Sequence, residues 1–347
     1  MARDTMKNYR IIDMHHHFIP DVYRNALMEL GVDKSGGKGI KKWSPEDSLA
    51  LMDKYQIETA IGTISAPALN PVMKAAPEKA ISIARQTNEA LADMIRQYPQ
   101  RFGAYALLPM PNVEASLQEI SYALDVLKLD GVGLLSNYEG QFLGDEVFAP
   151  IFDELQKRQA IVYLHPGEAP ANLPRPQFIV ADYFQEFTFN TCRAAANLIF
   201  SGTMERCPDI KVVLSHAGGV FPFLRFRLNQ CFLYARKGGY LAMNATIKAA
   251  YDSLVKDPLE YMSMFYYDLA LTTQKTTFDA LRHTTTLDHV FYGSDAHFAS
   301  DVYNEVFLKN IVEYYSQEEL EVIFRRGPEK LFPRFRDDLA TKNSELL

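Results

Sequence analysis

Short apolar runs rich in β-formers alternate along the chain with longer segments whose apolar residues recur every three to four positions. The short runs lie at 10–15, 59–65, 101–108, 131–136, 160–165, 211–216, 264–270 and 289–295. Several are continuously apolar, as strands buried on both faces are. Helical periodicity fills 44–55, 78–98, 113–128, 145–158, 187–206 and 276–283. Ser44-Pro45-Glu46 opens the first of these with an N-cap and a proline at the first helical position. Strand–helix alternation predicts parallel strands joined by right-handed crossovers. Eight such runs predict an α/β fold closed as a (β/α)₈ TIM barrel. An open doubly wound sheet is the alternative, but no GxGxxG follows the first strand.

Three connections are too long for simple turns: 18–42, 166–182 and 220–256. The first carries Lys34-Ser35-Gly36-Gly37-Lys38-Gly39, and the second has four prolines. They follow strands one, five and six at their C-terminal ends, the face where barrels build active sites. The expectation is one barrel domain over 1–347, distorted by these loops, with 336–347 a polar tail that frays.

Composition narrows the function classes. Of 347 residues, 48% are hydrophobic, enough for one large core. The net charge is −7 and no basic run is long enough for a nucleic-acid face. Three cysteines, Cys192, Cys207 and Cys231, show no CxxC spacing, which fits a reducing compartment. The first ten residues lack the apolar core of a signal peptide, and no apolar run is long enough to span a membrane. The chain reads as cytoplasmic, without a membrane or nucleic-acid partner.

The strongest local signal is Asp13-Met14-His15-His16-His17. On a strand His15 and His17 share a face and His16 takes the other. Two imidazoles at the mouth of a barrel can grip one metal ion, although a chance cluster or a tag remnant would look similar. His165 closes the fifth run, His216 the sixth and Asp295 the eighth. Singly, a strand-closing histidine is usually structural and a strand-closing aspartate usually caps a helix. Yet four of the chain's eight histidines fall at strand C-termini, where a barrel converges. Nitrogen ligands with one carboxylate suit Zn²⁺ or a similar divalent ion.

Taken together, these motifs resemble the amidohydrolase superfamily, specifically its decarboxylase-like amidohydrolase 2 branch. That branch includes aminocarboxymuconate semialdehyde decarboxylase and γ-resorcylate decarboxylase. The resemblance runs through 12–17, 131–144, His165-Pro166, 193–198, 215–219, Tyr266-Tyr267-Asp268, 292–295 and 327–335. By position it implies His15, His17, His165 and Asp295 as ligands of one divalent metal, Zn²⁺ first and Mn²⁺ or another ion as alternatives. His216 corresponds to a histidine that acts on substrate. The fourth strand ends in Leu134-Leu135-Ser136, without the lysine that bridges binuclear sites, so one metal is implied. Asp295-Ala296-His297-Phe298 departs from the branch's proline and aromatic, and His297 is read as a solvent-facing loop residue.

The implied activity is non-oxidative decarboxylation of a small aromatic or dienoic carboxylic acid. Asp295 supplies a proton to the carbon bearing the carboxylate, and His216 stabilises charge or shuttles the proton. The same ligands also suit a hydrolase of an ester, lactone, amide or C–C bond that uses a metal-bound hydroxide. An inactive barrel acting as a binding protein is the remaining alternative. Asn137, Tyr138, Phe184 and Arg193 are the candidate substrate contacts, with Arg24, Arg175, Arg225 and Arg227 as further cations for a carboxylate. Members of the branch often form dimers, so a homodimer is an expected assembly.

Overall fold

The structure, a computed structural model, describes residues 9–170, 172–238, 243–299 and 301–336. The tail expected to fray lies outside these residues beyond Arg336. Eight parallel strands pair in chain order: β1 (Ile11–His17), β2 (Ile57–Thr63), β3 (Phe102–Leu107), β4 (Gly131–Leu135), β5 (Ile161–His165), β6 (Lys211–Leu214), β7 (Tyr266–Asp268) and β8 (Val290–Phe291). The last strand meets the first through a thin seam. Met14 N–H donates to the Tyr292 carbonyl at 3.0 Å, and Asp295 N–H to the His15 carbonyl at 2.8 Å.

The sixth and seventh strands, expected over 211–216 and 264–270, are regular only over Lys211–Leu214 and Tyr266–Asp268, and two further elements differ more. The eighth strand is regular only over Val290–Phe291. Asp13 explains its early end: its carboxylate accepts the Ser294 N–H at 2.9 Å and the Ser294 hydroxyl at 2.5 Å. A side chain thereby takes the donor that a strand ladder would use. The helix expected over 187–206 divides into Glu186–Phe200 and Thr203–Arg206, with Gly202 between them at φ +77°. The other expected elements are present, with ends shifted by a few residues. The helix Pro45–Tyr55 starts from a capping box in which the Ser44 N–H donates to Asp47 at 2.8 Å.

The barrel interior is a small apolar cluster of Ile12, Met14, Ile61, Tyr105, Tyr163, Val213 and Phe291. Phe332 and Phe335 plug it from the N-terminal end. Arg334 fastens that plug through two hydrogen bonds to Asp130, at 2.6 and 2.8 Å. The connection 18–42 carries a helix, Asp21–Glu29, and a hairpin pairing Lys34–Ser35 with Lys38–Gly39. The connection 220–256 carries the helices Phe221–Arg236 and Ala245–Ser253. Among the described residues no helix is long and apolar enough to cross a membrane.

Phe332 is 3% exposed and stands edge-on to the ring of Tyr105. Replacing it with alanine opens a cavity under the barrel, and stability should fall by about 3–5 kcal/mol. Thermal unfolding of Phe332→Ala should show a clear drop in Tm; an unchanged Tm would mean that the plug does not support the barrel.

Candidate active site

Simple alternation along β1 would put Met14 and His15 on opposite faces. Instead the register slips. Asp13 pairs with Ala60 and His16 with Gly62, so three steps on β1 oppose two on β2. Met14 therefore joins the barrel core, while His15 also turns inward and lies edge-on to Tyr163. His17 follows on the same side, and His16 points into the wall.

Five buried side chains then meet at the barrel mouth. His15 Nε2 is 3.1 Å from His17 Nε2, and Asp295 Oδ1 lies 3.3 and 3.0 Å from those two nitrogens. Ligand atoms of His15, His165, His216 and Asp295 all fall within 4.8 Å of one another. The outer nitrogens determine the tautomers. His15 Nδ1 faces the Asp268 carboxylate at 3.1 Å, His17 Nδ1 the Thr63 carbonyl at 3.3 Å, and His165 Nδ1 the Pro166 carbonyl at 2.9 Å. Each partner only accepts, so each Nδ1 carries the proton and each Nε2 turns a lone pair inward. With the imidazoles neutral, three lone pairs and a carboxylate oxygen share one small space with no donor among them. A divalent cation fits that arrangement, and ligating histidines are held by second partners of this kind.

The electrostatics express the same demand for positive charge. Burial alone would lower the pKa of His15, but Asp268 and Asp295 overcome it and raise it to about 10. Burial, together with the neighbouring imidazoles, lowers His165 well below its ordinary value. Burial would raise the Asp295 carboxyl; the neighbouring His15, with His17 beside it, outweighs that and holds Asp295 well below the carboxylate range.

His216 belongs to the cluster by distance but differs in its bonding. Its Nε2 lies 3.8 Å from Asp295 Oδ2, and neither ring nitrogen has a hydrogen-bond partner among the described residues although the residue is 95% buried. It lacks the second partner that fixes a ligating imidazole, so its nitrogens stand open to a bound molecule. His216 (φ +54°), Ala217 (φ +56°) and Asp295 (φ +53°) all sit in the left-handed region. Strained backbone of this kind concentrates at functional sites.

A pocket of about 400 Å³ opens above this floor of His165, His216 and Asp295. Tyr183, Phe184, Phe187 and Phe298 form aromatic walls, and Lys38 is the basic side chain among the described lining residues. Of the sequence-derived substrate contacts, only Phe184 is there. Tyr138 is buried against Phe148, and its hydroxyl accepts the Leu135 N–H at 2.9 Å. Asn137 donates to Ser136 Oγ and to the Glu168 carbonyl, tying the ends of β4 and β5 together. Arg193 bonds Asn190 at 2.7 Å and faces a separate groove. Its helix has climbed about 9 Å past Phe187 by that point. None of Arg24, Arg175, Arg225 and Arg227 lines the pocket, and Arg175 is spent on Asp182 at 2.8 Å. His297 is not solvent-facing. It is partly buried, and its Nε2 lies 2.9 Å from Ser48 Oγ. Burial beside His16 and His17 pushes its pKa down to about 3, so it stays neutral.

Asp268 is the residue that sequence reasoning left without a role. Besides His15, it accepts the Tyr163 hydroxyl at 2.8 Å and the backbone N–H groups of His216 and Ala270 at 3.1 and 3.0 Å. One carboxylate thus ties β1, β5, β6 and β7 together beneath the site. The signal was present in the sequence, since Tyr266-Tyr267-Asp268 closes the seventh strand much as Asp295 follows the eighth.

Comparison with known proteins places these observations in context. The Amidohydro_2 family model, described as amidohydrolase, matches residues 12–334. The chain is 35% identical over 345 residues to the decarboxylase yanB of Aspergillus niger, covering 94% of this chain and 88% of that one. It is 32% identical over 337 residues to 6-methylsalicylic acid decarboxylase of Penicillium expansum, covering 94% and 97%. A crystal structure of a dihydroxybenzoic acid decarboxylase from Polaromonas, with bound manganese and the inhibitor 2-nitroresorcinol, superposes with a TM-score of 0.77 at 19% identity. That match covers 95% of this chain and 98% of the other.

If Asp268 orients His15, Asp268→Asn should weaken divalent-metal affinity about 10–100-fold. Competition with a chromophoric chelator measures this; unchanged affinity in the folded variant would remove Asp268 from the site.

Proposed function

The chain belongs to the Amidohydro_2 family of amidohydrolases, and from that premise we propose that it is a metal-dependent, non-oxidative decarboxylase of a small aromatic carboxylic acid. One observation carries this reading. Three inward Nε2 lone pairs and Asp295 Oδ1 form a metal-ready floor, while Asp295 Oδ2 and the unpartnered His216 face an aromatic-walled pocket.

In this reading His15, His17, His165 and Asp295 hold one divalent ion. When bound, the ion supplies a positive charge that fixes the substrate carboxylate and polarises a neighbouring ring oxygen. The donor set suits zinc, which we take as the native ion. The Polaromonas relative holds manganese, so metal analysis of the purified protein distinguishes the two. A single ion is expected because Ser136 ends β4 where a bridging lysine would stand, and its hydroxyl is occupied by the Gly167 N–H at 2.8 Å.

The chain's own residues carry the proton. Asp295 divides its work between its oxygens, Oδ1 toward the imidazoles and Oδ2 toward His216. A proton on Oδ2 passes to the ring carbon bearing the carboxylate and forms a C–H bond. The bond from that carbon to the carboxylate then breaks, its electron pair restores the aromatic ring, and CO₂ leaves. His216 returns a proton to Oδ2 from solvent. A strongly acidic carboxyl is scarce in its protonated form, but once protonated it donates readily to a weakly basic ring carbon. The aromatic walls hold a flat ring and keep the water count low at the reacting carbon.

Metal-loaded protein incubated with 6-methylsalicylate and 2,6-dihydroxybenzoate should release CO₂; product acids without CO₂ would make it a hydrolase instead. His216→Asn should lower kcat about 10²–10⁴-fold and leave metal content intact. The double change His15→Ala with His17→Ala should lose metal and activity together. Full metal occupancy in that double variant, read by elemental analysis, would overturn the ligand assignment.

A further inference from the structure

The one lysine or arginine among the pocket's described lining residues, Lys38, comes from the connection after β1 and is not part of the metal floor. The hairpin pairing Lys34–Ser35 with Lys38–Gly39 contributes Ser35 and Lys38 to the pocket lining. The Lys38 ammonium lies 4.9 Å from the centre of the Tyr183 ring. No described carboxylate comes within ion-pairing distance of it. The hairpin is seated on the rim by close contacts. Gly36 (φ +52°) and Gly37 (φ +99°) form the turn; a Cβ on Gly36 would meet Phe187 Cζ at 2.4 Å, and one on Gly37 would meet Ala181 Cβ at 2.5 Å. The Gly36 N–H donates to Glu168 Oε1 at 2.9 Å.

An ammonium held at an aromatic pocket without a counter-ion is available to a ligand. The scissile carboxylate is a poor partner for it. In the decarboxylase reading that group is already held by the metal ion and has no need of a second cation. An oxygen elsewhere on the ring keeps its character throughout the reaction. We propose that Lys38 and its hairpin form a subsite that selects substrates bearing a ring hydroxyl away from the scissile carboxylate. The class of ligand rests on the decarboxylase reading; the geometry of the subsite does not.

Nitrophenols test this without turnover, because a planar nitro group stands in for the carboxylate and cannot leave as CO₂. Calorimetry on the metal-loaded protein would compare 4-nitroresorcinol with 5-methyl-2-nitrophenol, and nitrohydroquinone with 4-methyl-2-nitrophenol. The hydroxyl-bearing member of at least one pair should bind about tenfold more tightly, as one hydrogen bond to a charged group provides. Lys38→Met should abolish that preference, and Lys38→Arg should retain part of it. Wild-type protein with no preference in either pair, or a preference that survives in Lys38→Met, would overturn the subsite. A Lys38-dependent preference in a protein that releases no CO₂ would uphold the subsite and sink the decarboxylase reading.

Discussion

Lone pairs that converge without a proton between them govern this molecule. Three imidazoles commit their outer nitrogens to Asp268, Thr63 and Pro166, and in their neutral form present Nε2 lone pairs to one another and to Asp295. Buried so closely, they repel unless a positive charge sits among them. The elevated pKa of His15 is the same requirement met by a proton. Affinity for a divalent ion is thus built into hydrogen bonds one step removed from the ion itself.

The barrel supplies the rigidity this needs. Asp268 draws four strands together beneath the site, and Asp13 ties β1 to the chain after β8 through Ser294. Both are buried carboxylates saturated with donors, a condition under which burial of charge is tolerated. Below them Tyr163 stacks on Tyr105 at 4.9 Å, so the apolar plug and the polar floor meet in one ring pair. Ser48 bridges His16 and His297 while accepting the Trp43 N–H, which anchors the turn just beyond Asp295.

Above that floor the pocket is made differently. Its walls come from long connections, and its polar groups are few and separately placed. In the proposed reaction, chemistry falls to strand ends, where position is stiff, and discrimination to loops, where side chains vary at little cost to the core. His216 lies at the boundary between the two. It is carried by a strained turn off β6, faces Asp295, and has no hydrogen-bond partner among the described residues.

Hydrophobic periodicity alone determined the eight-strand alternation and hence the barrel, because strands buried on both faces and amphipathic helices leave different spacings. The strand-end positions of His15, His17, His165, His216 and Asp295 were equally legible, since strand termini of a parallel barrel share one mouth. Four things were decided only by the fold. The register slip between Asp13 and His16 puts Met14 and His15 on the same side, against simple alternation. Asp268 acquired its part because four distant donors surround it, and donors contributed by other strands leave no trace in a one-dimensional pattern. Asn137, Tyr138 and Arg193 left the pocket, and Lys38 entered it, because loop paths and helix rotation depend on packing rather than on distance along the chain. His297 turned inward because Ser48, nearly 250 positions away, offered its hydroxyl. Local periodicity is written in neighbouring residues, whereas contacts across the barrel exist only after the chain has closed on itself.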